Sequence, residues 1–248
     1  MGRCLCGLLG ATILLAGCAA PGPAAAPGIL QHAAQQASAS VVHIRTTFPA
    51  QTQADNPPAT ARPTSWRSGG TGVTIGAGLI LTDEHVVHDA LEIAVCLPDG
   101  SWRPVERVVT DRAFALALLR VTGADLPAIA FSDAYASPGT PVIALGRPAA
   151  GTTHCARSGV VTNDAASLQD QLDPARRRDY AYLIESTVRL EPGFSGGPLL
   201  DAAGRLIGLN VATSDSTDTG ECRGYALPLN KRVRAALARM VAQANQPH

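Results

Sequence analysis

Glu191-Pro192-Gly193-Phe194-Ser195-Gly196-Gly197-Pro198-Leu199 is the most informative stretch of the chain. Glycines on either side leave Ser195 with little steric cover, so a carbonyl group can approach its hydroxyl. Glycine also permits backbone conformations that turn successive N–H groups to one side, where they cradle negative charge. The N–H groups of Gly193 and Ser195 are thus candidates for an oxyanion hole. The competing reading is a glycine-rich β-turn carrying a solvated serine.

A nucleophilic serine needs a base. Leu81-Thr82-Asp83-Glu84-His85-Val86-Val87 offers one, a histidine at the end of a strand and before an apolar turn. His43, His88 and His154 have less supportive surroundings, and His32 and His248 lie near the termini. A lone histidine is more often a surface or core residue than a base, so the weight rests on the two segments together.

Working outward, short β-branched and apolar runs recur with turn signals between them. They lie at Ser40–Thr47, Gly72–Ile75, Leu79–Thr82, Leu91–Leu97, Val105–Val109 and Leu116–Val121. A second series covers Pro141–Leu145, Ala156–Thr162, Tyr182–Thr187, Pro198–Leu200, Arg205–Val211 and Gly224–Leu227. Pro98-Asp99-Gly100 marks a turn, and residues 48–68, rich in Pro, Gln and Thr, read as a long loop. The spacing predicts an all-β fold of two lobes joined near residues 125–140. Helices are expected at Ile29–Ala39 and from Asn230, a plausible N-cap, to Gln246, where Val233, Leu237, Met240 and Val241 recur at helical spacing.

Composition narrows the function. The chain has 248 residues, 46% hydrophobic and 16% charged, which excludes disorder throughout. Lys+Arg and Asp+Glu are both 20, so no basic excess exists to neutralise phosphates. Aromatics are only 4%, which gives no stacking platform for bases. No nucleic-acid partner is therefore expected.

The N-terminus reads as an address. Arg3 precedes an apolar run from Leu5 to Ala16, and Leu15-Ala16-Gly17-Cys18 ends it. This ending resembles the bacterial lipobox, which implies a signal peptide over 1–17 and lipidation of Cys18; an ordinary signal peptide is the alternative. Residues 18–38 read as a Pro/Ala-rich tether with a short helix. Localisation in a bacterial cell envelope, with the membrane as partner through the lipid at Cys18, follows as an expectation. Cys96, Cys155 and Cys222 then remain in an exported chain. Cys96 lies in an alternating apolar strand and is expected to be a buried thiol, whereas Cys155 and Cys222 are expected to pair as a disulfide. Without any CxxC, a zinc site has no support; no metal or cofactor is expected.

Taken together, these segments resemble the trypsin-like serine peptidases, specifically the HtrA/Deg-like branch. Gly193 to Leu199 resembles its Gly-x-Ser-Gly-Gly-Pro-Leu, and Leu81 to Val87 its Leu-Thr-x-x-His-Val-Val. Gly70-Thr71-Gly72-Val73, Ser158-Gly159-Val160-Val161, Gly204-Arg205-Leu206-Ile207-Gly208-Leu209-Asn210 and Gly224-Tyr225-Ala226-Leu227-Pro228 resemble other strands of that family. The resemblance runs from about residue 38 to 235. It implies a peptidase domain over 39–246 built as two six-stranded antiparallel β-barrels. The first would span about 39–124 and the second about 140–229, with a C-terminal helix over 230–246. It also implies an active site in the cleft between them, with no room left for the PDZ module of many relatives. Ser195 is then expected to be the nucleophile, His85 the general base, and Gly193 and Ser195 the oxyanion donors.

One position departs from the family. Its third catalytic residue is an Asp, and ungapped comparison of Thr110-Asp111-Arg112-Ala113-Phe114-Ala115-Leu116-Ala117 puts Ala115 there. That Asp fixes the histidine tautomer, and its loss lowers turnover by roughly 10⁴-fold in serine proteases. Decay to a weak or inactive peptidase, an engineered substitution and a compensating carboxylate are all open. Asp111 would need local rearrangement to serve. Asp83 and Glu84 are sequence neighbours of His85, which is ordinarily a poor geometry for bonding its ring. Phe194, where zymogen-activated relatives have an Asp, excludes activation by an inserted N-terminus.

The function expected is a lipid-anchored serine endopeptidase acting on proteins or peptides, with reduced activity. The alternatives are a pseudopeptidase that binds extended polypeptides and a purely structural envelope protein. Leu190 and Val211 suggest an apolar primary pocket for small aliphatic side chains. Arg189 is the rival signal for an acidic one, if its guanidinium turns inward rather than to solvent.

Overall fold

The computed structural model describes residues 27–48, 66–147, 154–167, 182–215 and 222–246. The leader, Cys18, the first residues of the tether and residues 49–65 of the expected long loop lie outside the described residues.

The described residues begin with helix α1 (Pro27–Ala37) and a 3₁₀ turn, Ser38–Ser40. The first lobe holds β1 (Val41–Thr47), β2 (Trp66–Gly76), β3 (Leu79–Asp83), the one-turn helix α2 (Glu84–Val87), β4 (Glu92–Cys96), β5 (Trp102–Pro104), β6 (Arg107–Asp111) and β7 (Leu116–Arg120). The second holds β8 (Pro141–Gly146), β9 (Cys155–Ala166), β10 (Leu183–Ser186), β11 (Pro198–Leu200), β12 (Leu206–Asp215) and β13 (Cys222–Pro228). Helix α3 (Lys231–Ala244) closes the chain.

The fold is mostly β, as expected, and the second lobe is a closed barrel in the order β10-β13-β12-β11-β8-β9. The first lobe differs in detail from the expected six-stranded barrel. It is a curled seven-stranded sheet, β5-β4-β1-β2-β3-β7-β6, whose ends β5 and β6 are not paired with each other. The extra strand, β5, is three residues long and ends at Pro104, which cannot donate to a ladder and so suits an edge.

Alternating side chains explain how the lobes join. In β3, Ile80 packs inside the first lobe with Ala117 and Leu119 of β7. Their neighbours Leu79, Leu81, Leu116 and Leu118 point the other way, into a shared layer with Ile143, Leu145, Leu200 and Leu206 of the barrel. The barrel interior takes the alternate residues Val142, Ala144, Leu199 and Ile207, together with Phe194. These strands are covered on both faces, which is why they read as continuous apolar runs.

Helix α3 ties the lobes together. Asn230 caps it, its side chain accepting from the N–H groups of Arg232 and Val233. At the other end, Arg107 of the first lobe donates to the Gln243 and Gln246 carbonyls, and Arg120 to that of Ala244. Cations thus gather on carbonyls at and just beyond the C-terminal turn, where the helix dipole favours positive charge.

The cysteine expectation is half corrected. Cys96 is a buried free thiol, as expected, but Cys155 and Cys222 are also free. Topology is the reason. Val161 of β9 and Gly224 of β13 both face Ser186 of β10, one on each side. The two cysteine strands are therefore about 10 Å apart, and Cys155 lies four residues further from that level than Cys222, about 13 Å along the strand. A disulfide needs Cα atoms within about 7 Å.

Candidate active site

His85 sits in helix α2 because Asp83 caps it. The Asp83 carboxylate, at the end of β3, accepts the His85 backbone N–H at 2.9 Å. Val86 and Val87 are buried in the first lobe and hold the turn down, leaving the His85 side chain 24% exposed. The Glu84 N–H donates to the Ala115 carbonyl at 2.8 Å, fastening the helix to the end of the β6–β7 turn. Ala115 itself is buried and has φ +51°.

The ring of His85 does not lack a carboxylate. Its Nδ1 lies 2.5 Å from Asp83 Oδ1, and the Asp83 side chain is wholly buried. This corrects the expectation that sequence neighbours bond such a ring poorly. In a helix the Cα–Cβ bond tilts toward the N-terminus, so the ring of the second helical residue swings back over its own cap. Asp111, the other candidate carboxylate, accepts the Ala113 N–H and faces Arg239 at 3.9 Å, so it serves its own turn and α3. Glu84 is engaged by His88 at 2.8 Å.

The glycine-rich segment packs against that same strand end. The Ser195 carbonyl accepts from the Thr71 N–H at 2.9 Å. A Cβ at Gly70 would meet the Ser195 carbonyl oxygen and the Val86 methyls. Gly196 has φ +77°, and a Cβ there would collide with Thr82 Oγ1 and the Thr71 carbonyl and approach Asp83 N. Glycine is required at 196 on both counts, and the close approach sets the serine segment against the His85 turn. The Ser195 hydroxyl donates to the Val211 carbonyl at 3.3 Å.

Gly193, at φ +93°, turns its carbonyl into the lobe interface, where Thr71 Oγ1 donates to it at 2.5 Å. Thr71 Oγ1 in turn accepts the Arg147 N–H at 2.8 Å. Phe194 N–H donates to Glu191 and Gly197 N–H to the Phe194 carbonyl. Among the described residues, the N–H groups of Gly193 and Ser195 have no such partner. Thr71 was missed by the sequence reading, and Asp83 was set aside as too close in sequence to bond the ring. The signal for Asp83 was there: an Asp just before an apolar helical turn is an N-cap pattern.

Beside Ser195 lies a small cavity of about 170 Å³ lined by Leu190, Glu191, Pro192, Phe194, Ala212 and Thr213. Of the pocket candidates, Leu190 lines it. Val211 is buried beneath, within the shared apolar layer, and Arg189 is exposed. Glu191 at the rim pairs with Arg157 at 2.5 Å. No group of described His, Cys, Asp and Glu side chains is placed to hold a metal ion.

A second network centres on Arg147, whose N–H reaches Thr71. His43 of β1 is buried, its Nδ1 lies 2.9 Å from the Arg147 carbonyl, and its ring meets Trp102 edge-on. Burial pushes its pKa below 6.5; the Arg147 and Arg45 cations push the same way, against carbonyl acceptors at Arg147 and Gly70. Below pH 6.5 the unfolded chain therefore binds a proton that the folded chain resists. Stability falls as pH drops from 6.5 toward the folded value. Chemical denaturation across pH 5–8 checks this: His43→Gln is expected to flatten the decline below pH 6.5, and an unaltered slope contradicts it.

A model of the trypsin-like peptidase domain matches residues 70–209. A probable periplasmic serine endoprotease, DegP-like, from Pseudomonas fluorescens is 34% identical over 165 residues, 65% of this chain and 33% of that protein. Its namesake from Chlamydia pneumoniae is 32% identical over 161 residues, 64% of this chain and 32% of that protein. The chain thus spans about a third of the length of these curated relatives. Among solved structures, the HtrA-type protease AlgW with decapeptide superposes with a TM-score of 0.64 at 26% identity, covering 86% of this chain and 66% of that one. The Rv3671c protease, inactive form, gives 0.66 at 22% identity over 88% and 98%, a likeness of fold alone.

Proposed function

Because the chain belongs to the trypsin-like peptidase family, with HtrA/DegP-like relatives, we propose that it is a serine endopeptidase of the bacterial cell envelope. It is exported and anchored by lipid at Cys18, and it cuts extended segments of protein substrates. The observation that carries the reading is the apposition of the Gly193–Gly197 segment to β2 and to the end of β3 that leads into the His85 turn, through Ser195 to Thr71 and Gly196 to Thr82.

In this reading the Ser195 hydroxyl turns from the Val211 carbonyl toward His85 and attacks the scissile carbonyl. His85 Nε2 takes the hydroxyl proton. The carbonyl oxygen becomes an oxyanion, which accepts from the Gly193 and Ser195 N–H groups. Collapse of the tetrahedral species breaks the C–N bond as His85 returns the proton to the leaving amine. Water, deprotonated by His85, then hydrolyses the acyl-enzyme. The small cavity next to Ser195 favours small aliphatic side chains, with Leu190 as its apolar wall; exposed Arg189 speaks against an acidic preference. The periplasmic relatives and the leader support the envelope location.

Ala115 favours a second reading, a pseudopeptidase that holds extended polypeptides without cutting them. Incubation with an unfolded protein substrate separates the two. Fragments produced by the natural chain and abolished in Ser195→Ala support the peptidase. Equal binding by both chains with no fragments from either supports the pseudopeptidase.

A further inference from the structure

We propose that Asp83 is the positioning residue that orients His85, taking over from the N-cap of α2 the task that the family assigns to the Ala115 position. The inference rests on the serine-peptidase reading for its kinetic consequences, and on geometry alone for the pairing itself.

One carboxylate oxygen, Asp83 Oδ1, holds both the backbone N–H and ring Nδ1 of His85, at 2.9 and 2.5 Å. An ionised carboxylate only accepts, so Nδ1 carries the proton and donates it. The lone pair is left on Nε2, the tautomer a general base requires. The oxygen is wholly buried, which strengthens its interaction with any positive charge that develops on the ring. Its backbone is fixed as the last rung of β3, Asp83 opposite Leu116 of β7. At position 115, by contrast, a methyl group is buried and the carbonyl fastens α2 through the Glu84 N–H. Ala115 thus holds the helix by its backbone, and the helix brings its own acid. Acid and base lie two residues apart and move as one unit.

Asp83→Asn separates the charge from the cap, because Asn caps helices as well as Asp does. The wild type, Asp83→Asn, Ala115→Asp, the double variant and Ser195→Ala are compared by thermal unfolding, by peptide hydrolysis against pH, and by proton NMR of the His85 Nδ1–H. Asp83→Asn is expected to keep its melting temperature and lower kcat about 10²- to 10⁴-fold, with KM little changed. Its kcat/KM profile should shift to lower pH, since the carboxylate stabilises the imidazolium. The low-field Nδ1 proton should be present in wild type and in inactive Ser195→Ala, and lost in Asp83→Asn. Ala115→Asp alone should gain less than tenfold, and in the Asp83→Asn background it should restore at least tenfold. Persistence of the low-field proton in Asp83→Asn, or wild-type kinetics in that variant, overturns the proposal. So does a gain of two decades in Ala115→Asp alone, which would mean that His85 had no orienting acid. If the natural chain hydrolyses nothing while the proton still depends on Asp83, the pairing stands and the peptidase reading falls.

Discussion

His85→Ala is expected to lower kcat for peptide hydrolysis by about 10⁴- to 10⁶-fold. The serine hydroxyl is a weak nucleophile at its own pKa and depends on a neighbouring base. Two other histidines of the same lobe are committed elsewhere. His43 is buried against the Arg147 carbonyl, and His88 pairs with Glu84 and Asp89. With both engaged, neither takes over, and the loss should approach the whole contribution of the base. It should also be far from additive with Ser195→Ala, because the two groups act as one unit. Steady-state kinetics on the single and double variants check this. A His85→Ala chain within tenfold of wild type would remove His85 from the mechanism.

Phe194→Ala should be the most damaging core substitution near the site. The Phe194 side chain is fully buried and belongs to the interior of the closed barrel. Its ring lies so close to Gly146 that a Cβ there would stand 2.5 Å from Cδ2. Truncation leaves a cavity that cannot easily collapse, and Phe→Ala changes in such cores cost about 3–5 kcal/mol. For a domain of this size that lowers Tm by about 10 °C. The same residue frames the turn proposed to hold the oxyanion, through Phe194 N–H to Glu191 and Gly197 N–H to the Phe194 carbonyl. With its anchor gone the turn loosens, and kcat should fall about 10²-fold even well below the unfolding transition. Thermal unfolding and kinetics at 20 °C lower decide it: a Tm within 2 °C of wild type would mean the ring does not anchor the turn.

Strand by strand, the alternation and the turn residues were legible because each depends on neighbours in sequence. β1, β3, β7, β8 and β12 fall close to where β-branched and apolar runs place them. Whether a sheet closes is not written in any local pattern. The pairing that closes the second lobe joins β10 to β9 and β13, and the corresponding ends of the first lobe, β5 and β6, stay apart. β5 was passed over because three residues ending in proline carry no period. Of the proposed site, the part legible in sequence was where chemistry and backbone freedom coincide, at Gly193, Ser195, Gly196 and His85. Asp83 was not, because distance along the chain is a poor guide once a helix cap folds the ring back onto its predecessor. The Cys155–Cys222 expectation failed for a related reason: shared membership of a lobe says nothing of level along the strands.

The most direct test of the central claim is covalent labelling of the natural chain with a fluorophosphonate probe, read by peptide mass spectrometry. One modified residue is expected, Ser195, with labelling slowed at least a hundredfold in His85→Ala and absent in Ser195→Ala. A folded natural chain that stays unlabelled, or carries the label at another residue, contradicts it.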